Sequence, residues 1–114
     1  MITIEKLSGF GANTAEGLAR CCGSEALYLK LVNMVPDEEA FGRLSRAIGE
    51  NDRDAAFEAV HALKGVLGNL SLTPMYDVAS RLTELLRSRS ETDCEPMLVE
   101  LLKKRDELRE LCAG

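Results

Sequence analysis

An all-α fold is predicted for this 114-residue chain from three features. Apolar residues recur at helical spacing in segment after segment, strand signals are nearly absent after the first few residues, and start and stop residues bracket the apolar segments. Short connections favour antiparallel neighbours, so the economical arrangement is an antiparallel up-and-down four-helix bundle with a short additional N-terminal helix. The length suits one domain over 1–114, with 1–23 as a cap segment lying across one end and 24–111 as the bundle.

The elements follow in chain order. Asn13 and Thr14 are positioned to cap a short helix through Cys22, ended near Gly23. Ser24 caps the next, carrying Leu27, Leu31 and Val35 and broken by Pro36. Asp37 starts a helix with Phe41, Leu44 and Ile48 on one face and Gly49 near its end. Asp52 caps a long helix. Thr73 and Pro74, a cap followed by proline at the first helical position, open another through Met75, Val78, Leu82, Leu85 and Leu86. RSRSETD reads as a polar connector. Pro96 begins the last helix, with Met97, Leu98, Leu101, Leu102, Leu108 and Leu111 at helical spacing.

Composition excludes several functions. A net charge of −5 provides no broad cationic surface for a nucleic acid or an anionic membrane. With no tryptophan and 4% aromatic residues, a platform for stacking bases is disfavoured. MITIEKL lacks a basic segment followed by an apolar core, and Lys30, Asn33, Arg43 and Lys64 interrupt the later apolar stretches, so a cytoplasmic, soluble protein is expected. Of the four cysteines, Cys21 and Cys22 are adjacent and no C-x-x-C occurs. With a single histidine to complete a zinc shell, the expectation is reduced, structural thiols and no metal site. Tyr28 and Phe41 are expected in the core, and KKRDELRE is read as a solvated face.

The long helix from Asp52 carries the chemistry. At about 100° per residue, Ala56, Ala59, Val60, Leu63, Val66, Leu67 and Leu70 fall within roughly 60° of Leu63 and form the buried stripe. His61, the only histidine, lies on the opposite side with Asp54, Phe57, Glu58, Lys64, Gly65 and Gly68, and is expected to face solvent. Each interior glycine should weaken the helix by roughly 1 kcal/mol relative to alanine. Gly65 and Gly68 would leave bare backbone beside the imidazole, over which a large partner could approach. Lys64 sits within reach of a group attached to the ring and favours a negative one. Phe57, a large apolar residue on a wet face, reads as a docking contact or as packing against a neighbouring helix. An exposed imidazole beside a cation and a bare rim suits a nucleophile toward a phosphoryl group delivered by another protein.

His61-Ala62-Leu63-Lys64-Gly65, followed by Gly68 and Asn69, resembles the H-x-L-K-G signature of histidine-containing phosphotransfer (HPt) domains. GLARCCGSEALYLKLVNMV, residues 17–35, resembles the segment with which many bacterial members begin, and the likeness runs from about Gly11 to the last helix. The resemblance implies a four-helix bundle in which His61 accepts phosphate from an aspartate of a response-regulator receiver domain and passes it to another. It further implies that Lys64 interacts with the phosphoryl group, and that Phe57, Glu58, Gly65, Gly68 and Asn69 meet the partner. A stoichiometric phosphocarrier without catalytic turnover follows, holding no cofactor itself, with Mg²⁺ coming from the receiver and a hybrid histidine kinase as a further partner. Val66 stands where a small residue is common, and Ser71 where glycine is frequent. Two other readings are weighed. One is a helical interaction module that docks on a receiver or kinase without being phosphorylated. The other is a haem or metal bundle, which the outward position of His61 disfavours.

Overall fold

A computed structural model describes residues 1–89 and 91–114. Its described residues form α1 (Ile4–Phe10), α2 (Thr14–Arg20), α3 (Glu25–Met34), a 3₁₀ turn (Val35–Asp37), α4 (Glu39–Gly49), α5 (Arg53–Asn69), α6 (Thr73–Arg87) and α7 (Glu95–Ala113). Packing is most extensive between α4 and α5 and between α5 and α6, then between α6 and α7. These four helices make the bundle, with α5 central.

Local chemistry accounts for most helix starts. Side-chain oxygens of Asn13, Ser24 and Asp52 accept hydrogen bonds from the amides of Glu16, Leu27 and Ala55. At two expected starts the structure differs. Asp37 lies in the 3₁₀ turn, where its carboxylate pairs with Arg109 at 3.4 Å, and α4 starts two residues later. Thr73 is already helical, and its hydroxyl turns back to the Ser71 carbonyl at 3.4 Å instead of capping α6. Ser90, within the expected RSRSETD connector, lies outside the described residues.

The N-terminal region holds more structure than its sequence suggested. The residual strand signal at the start is helix α1, capped by Thr3 and ended by Gly11 at φ +107°. Ile2 and Leu7 are buried in the common core, so two short helices precede α3 rather than one, and the segment is part of the core. The apolar stripe of α3 is also rotated by one residue. Tyr28, Val32 and Val35 are buried, whereas Leu27 is exposed and Leu31 only half-buried. Tyr28 sets this register, because its hydroxyl donates to the Leu70 carbonyl at 2.8 Å while its ring covers Gly17. With α1 and α2, α3 forms a layer against the bundle, which itself begins at α4 rather than at Ser24.

Within α5 the expected stripe is buried, with Val66 half-buried at its edge. Phe41 and Leu44 of α4 and Leu98, Leu101 and Leu108 of α7 join the same cluster. The four cysteines are free thiols. Burial pushes the Cys112 thiol above its usual range, the opposite of what a reactive thiolate needs. Among the described residues no helix is long and apolar enough to cross a membrane.

Candidate functional site

His61 projects from the middle of α5 and is exposed, as the helical spacing requires. Two separate surroundings meet at it. Toward the start of α5, the Phe57 ring stacks on the imidazole with centroids 5.8 Å apart and planes inclined by 13°. The Arg87 guanidinium of α6 lies 5.8 Å from the centre of the same Phe57 ring, and Glu84 holds Arg87 by a 2.8 Å ion pair. Of the two roles expected of Phe57, the structure shows packing against the neighbouring helix α6; its ring also supports one face of the histidine, which restricts how the imidazole turns.

Toward the end of α5 lies a cleft of about 480 Å³. From α5 it is lined by His61, Lys64, Gly65, Gly68 and Asn69, from α2 by Glu16 and Arg20, and from the α5–α6 corner by Ser71, Thr73 and Tyr76. The Lys64 ammonium lies 6.0 Å from the centre of the Tyr76 ring. Its cationic end is thus held beside the cleft with no carboxylate paired to it among the described ion pairs. An anion bonded to the imidazole would find that charge uncompensated.

The two glycines differ. A Cβ built on Gly65 would have nothing within 4 Å, so this rim is open backbone. A Cβ on Gly68 would stand 3.0 Å from Cε1 and 3.3 Å from Cδ1 of Tyr76. The expectation that both leave room for a partner is corrected at Gly68, whose missing side chain accommodates the chain's own tyrosine. Glu58 also departs from the grouping expected of it. It faces a separate groove between α4 and α5, with Arg43, Arg46 and Glu50, while Phe57 borders the α6 side.

Ser71 explains the corner. It is buried with φ +53°, a conformation that favours glycine. Its hydroxyl donates to Glu16 Oε1 at 3.0 Å, and its carbonyl accepts from the Asn13 amide at 2.9 Å. Those bonds fasten α2 to the end of α5. Sequence reasoning missed Tyr76, Glu16 and Arg20. Tyr76 directly follows Met75 of the apolar face of α6, which was a signal that it borders that face. For Arg20 the only hint was its i,i+4 spacing from Glu16, and that spacing does not reveal the cleft. Among the described residues, no group of three or more His, Cys, Asp or Glu side chains is gathered to hold a metal ion.

A family model described as Hpt domain matches residues 37–113, from the 3₁₀ turn through α7. The resemblance seen in residues 17–35 lies outside that match. No curated protein and no solved structure matches the chain. Hpt domains are phosphocarrier modules of two-component signalling that interact with receiver domains and kinases. With the match spanning well over half the chain, on an all-helical bundle, this protein belongs to the Hpt domain family.

Proposed function

We propose that the protein is a phosphorelay intermediate, accepting a phosphoryl group on His61 from the aspartyl phosphate of one receiver domain and passing it to another. The single observation carrying this reading is the exposed imidazole at the junction of an open glycine rim and a cleft holding the unpaired Lys64 ammonium. The unprotonated ring nitrogen attacks phosphorus. An N–P bond forms as the P–O bond to the aspartyl carboxyl breaks, and the carboxylate leaves with that electron pair. The other ring nitrogen keeps its proton, so the phosphorylated ring is an imidazolium and no base is needed. The reverse step on a second receiver restores neutral imidazole.

The division of labour follows from the surface. His61 sits on a helix, not in a deep enclosed pocket, so the receiver supplies the Mg²⁺ and most of the charge stabilisation that phosphoryl transfer requires. This chain contributes an oriented nucleophile through the Phe57 stack, a waiting cation in Lys64, and access across Gly65. A hybrid histidine kinase carrying a receiver is a fitting donor, and Asn69 borders the area such a domain would cover.

Incubation with receivers charged by acetyl phosphate tests the reading. The expected result is an acid-labile, base-stable phosphate on the wild-type chain that disappears in His61→Gln, whose helicity by circular dichroism is unchanged. Binding of a charged receiver with no label on the wild-type chain would overturn it in favour of a docking module that carries no phosphate.

A further inference from the structure

We infer that Arg20, on a helix outside the segment matched by the family model, is a second phosphoryl-binding cation that Glu16 holds in reserve until His61 is phosphorylated. This inference rests on the reading of His61 as a phosphoacceptor. The bond that Arg20 makes to Glu16 is an ordinary surface pair. Arg20 Nη2 lies 3.4 Å from Glu16 Oε1, an i,i+4 pair with both side chains about half exposed, at 51% and 50%. Alone, such a pair contributes little to stability.

Its placement carries the meaning. Glu16 Oε1 also accepts the Ser71 hydroxyl at 3.0 Å, and Ser71 keeps its left-handed backbone at φ +53° while doing so. The Asn13 amide donates to the Ser71 carbonyl at 2.9 Å. Two bonds spanning more than fifty residues of sequence thus seat the start of α2 on the end of α5, and they put Arg20 on the wall of the cleft that His61 and Lys64 line. Before phosphorylation this wall carries Arg20⁺, Lys64⁺ and Glu16⁻, a net charge of +1 in a chain whose total is −5.

A phosphoryl dianion on His61 changes the competition. It offers three acceptor oxygens and two negative charges, against one carboxylate oxygen that Ser71 already engages at the shorter distance. The planar fork of arginine matches that anion better than its 3.4 Å contact to Glu16. Arg20 turns to the phosphoryl group, and Glu16 keeps its bond to Ser71, so α2 stays docked. The N-terminal layer thereby shifts the phosphorylation equilibrium toward this protein.

The test uses the full chain phosphorylated chemically on His61 with phosphoramidate, so it does not depend on finding the natural receiver. The second ionisation of the phosphoryl group is followed by ³¹P NMR against pH, and the extent of phosphorylation at equilibrium with one charged receiver is measured beside it. Arg20→Ala is expected to raise that ionisation by roughly 0.2–0.7 pH unit and to lower the phosphorylated fraction ratio about two- to fivefold. Lys103→Ala, which removes an exposed charge from α7, corrects for overall charge, and Arg20→Lys is expected to retain part of the effect. Glu16→Gln keeps an acceptor for Ser71 but frees Arg20, so its shift is opposite in sign. It should shrink when combined with Arg20→Ala. If Arg20 merely braces α2, the Glu16→Gln shift reflects only the lost carboxylate charge and is the same with and without Arg20. That outcome, or Arg20→Ala matching Lys103→Ala, overturns the inference while leaving a phosphate-accepting His61 intact. If phosphoramidate does not modify His61, both fall.

Discussion

Gly65 and Gly68 stand three residues apart on one helix, and in sequence they have the same explanation. In the structure a Cβ built on Gly65 would meet nothing within 4 Å, whereas one built on Gly68 would stand 3.0 Å from the Tyr76 ring. The first leaves space for another molecule and the second for the same chain. Gly17 extends the comparison, since a Cβ there would come within 2.5–2.6 Å of three atoms of the buried Tyr28 side chain. A glycine in a helix marks a close approach; what approaches is decided by tertiary packing.

The largest expected break in this series is therefore Gly17→Ala. Alanine is the better helix former, but its methyl would displace a ring that cannot swing away, because the Tyr28 hydroxyl is bonded to Leu70. Overpacking should outweigh propensity, with a loss of about 3 kcal/mol read from the urea midpoint. A midpoint equal to that of the natural chain would mean that α2 is not held against α3 in solution.

Next in size is a change that leaves the fold alone. Gly65→Trp adds bulk to the open rim, so phosphoryl transfer from a receiver should fall by about 30-fold, equivalent to roughly 2 kcal/mol at the encounter. Chemical phosphorylation of His61 by phosphoramidate, a small reagent, should persist. Transfer at the natural rate in Gly65→Trp would place the docking surface elsewhere, on the Glu58 groove or the Phe57 side.

Tyr28→Phe sharpens the contrast from the other partner. Removing the hydroxyl leaves the Leu70 carbonyl without this bond, at a cost of about 1 kcal/mol. It also alters alkaline stability. Burial, with a smaller contribution from Cys21, holds the Tyr28 phenol above its ordinary value of 10.0. The unfolded phenol releases its proton first as pH rises, so stability is intact below about pH 10 and declines above it. The natural chain should lose urea resistance more steeply there than Tyr28→Phe does.

How much of this was legible follows from the range of the interactions. The α5 stripe and the outward His61 were readable because helical periodicity is local. So were the caps at Asn13, Ser24 and Asp52, each a bond spanning three residues. The starts at Asp37 and Thr73 misled because both side chains found other partners, Arg109 from 72 residues away and the nearby Ser71 carbonyl. The register of α3 turned on Tyr28 reaching Leu70, 42 residues on, and no spacing within α3 encodes that bond. For the site, the motif around His61 located the exposed imidazole and Lys64, while Tyr76, Glu16 and Arg20 joined the cleft through contacts between helices. Ser71 lies between these cases. Its departure from a position where glycine is frequent was visible, and its positive φ and bond to Glu16 explain how serine is retained.

The smallest predicted effect is the most direct test of the two α5 glycines. Gly65→Ala places a methyl in open space on an exposed helix, so the helix gains stability by roughly 0.5–1 kcal/mol with no opposing contact. Gly68→Ala offers the same backbone gain, but its methyl must move the Tyr76 ring by a few tenths of an ångström, and that ring borders Lys64. The two terms should nearly cancel. Replacing Tyr76 with alanine removes the opposing one, so Gly68→Ala in that background should recover the gain seen at Gly65. The coupling in such a double-mutant cycle is expected to be about 0.5–1 kcal/mol, measured by urea denaturation. If Gly68→Ala stabilises equally with and without Tyr76, the ring does not rest on Gly68 in solution, and both glycines would then form one continuous bare ledge beside His61.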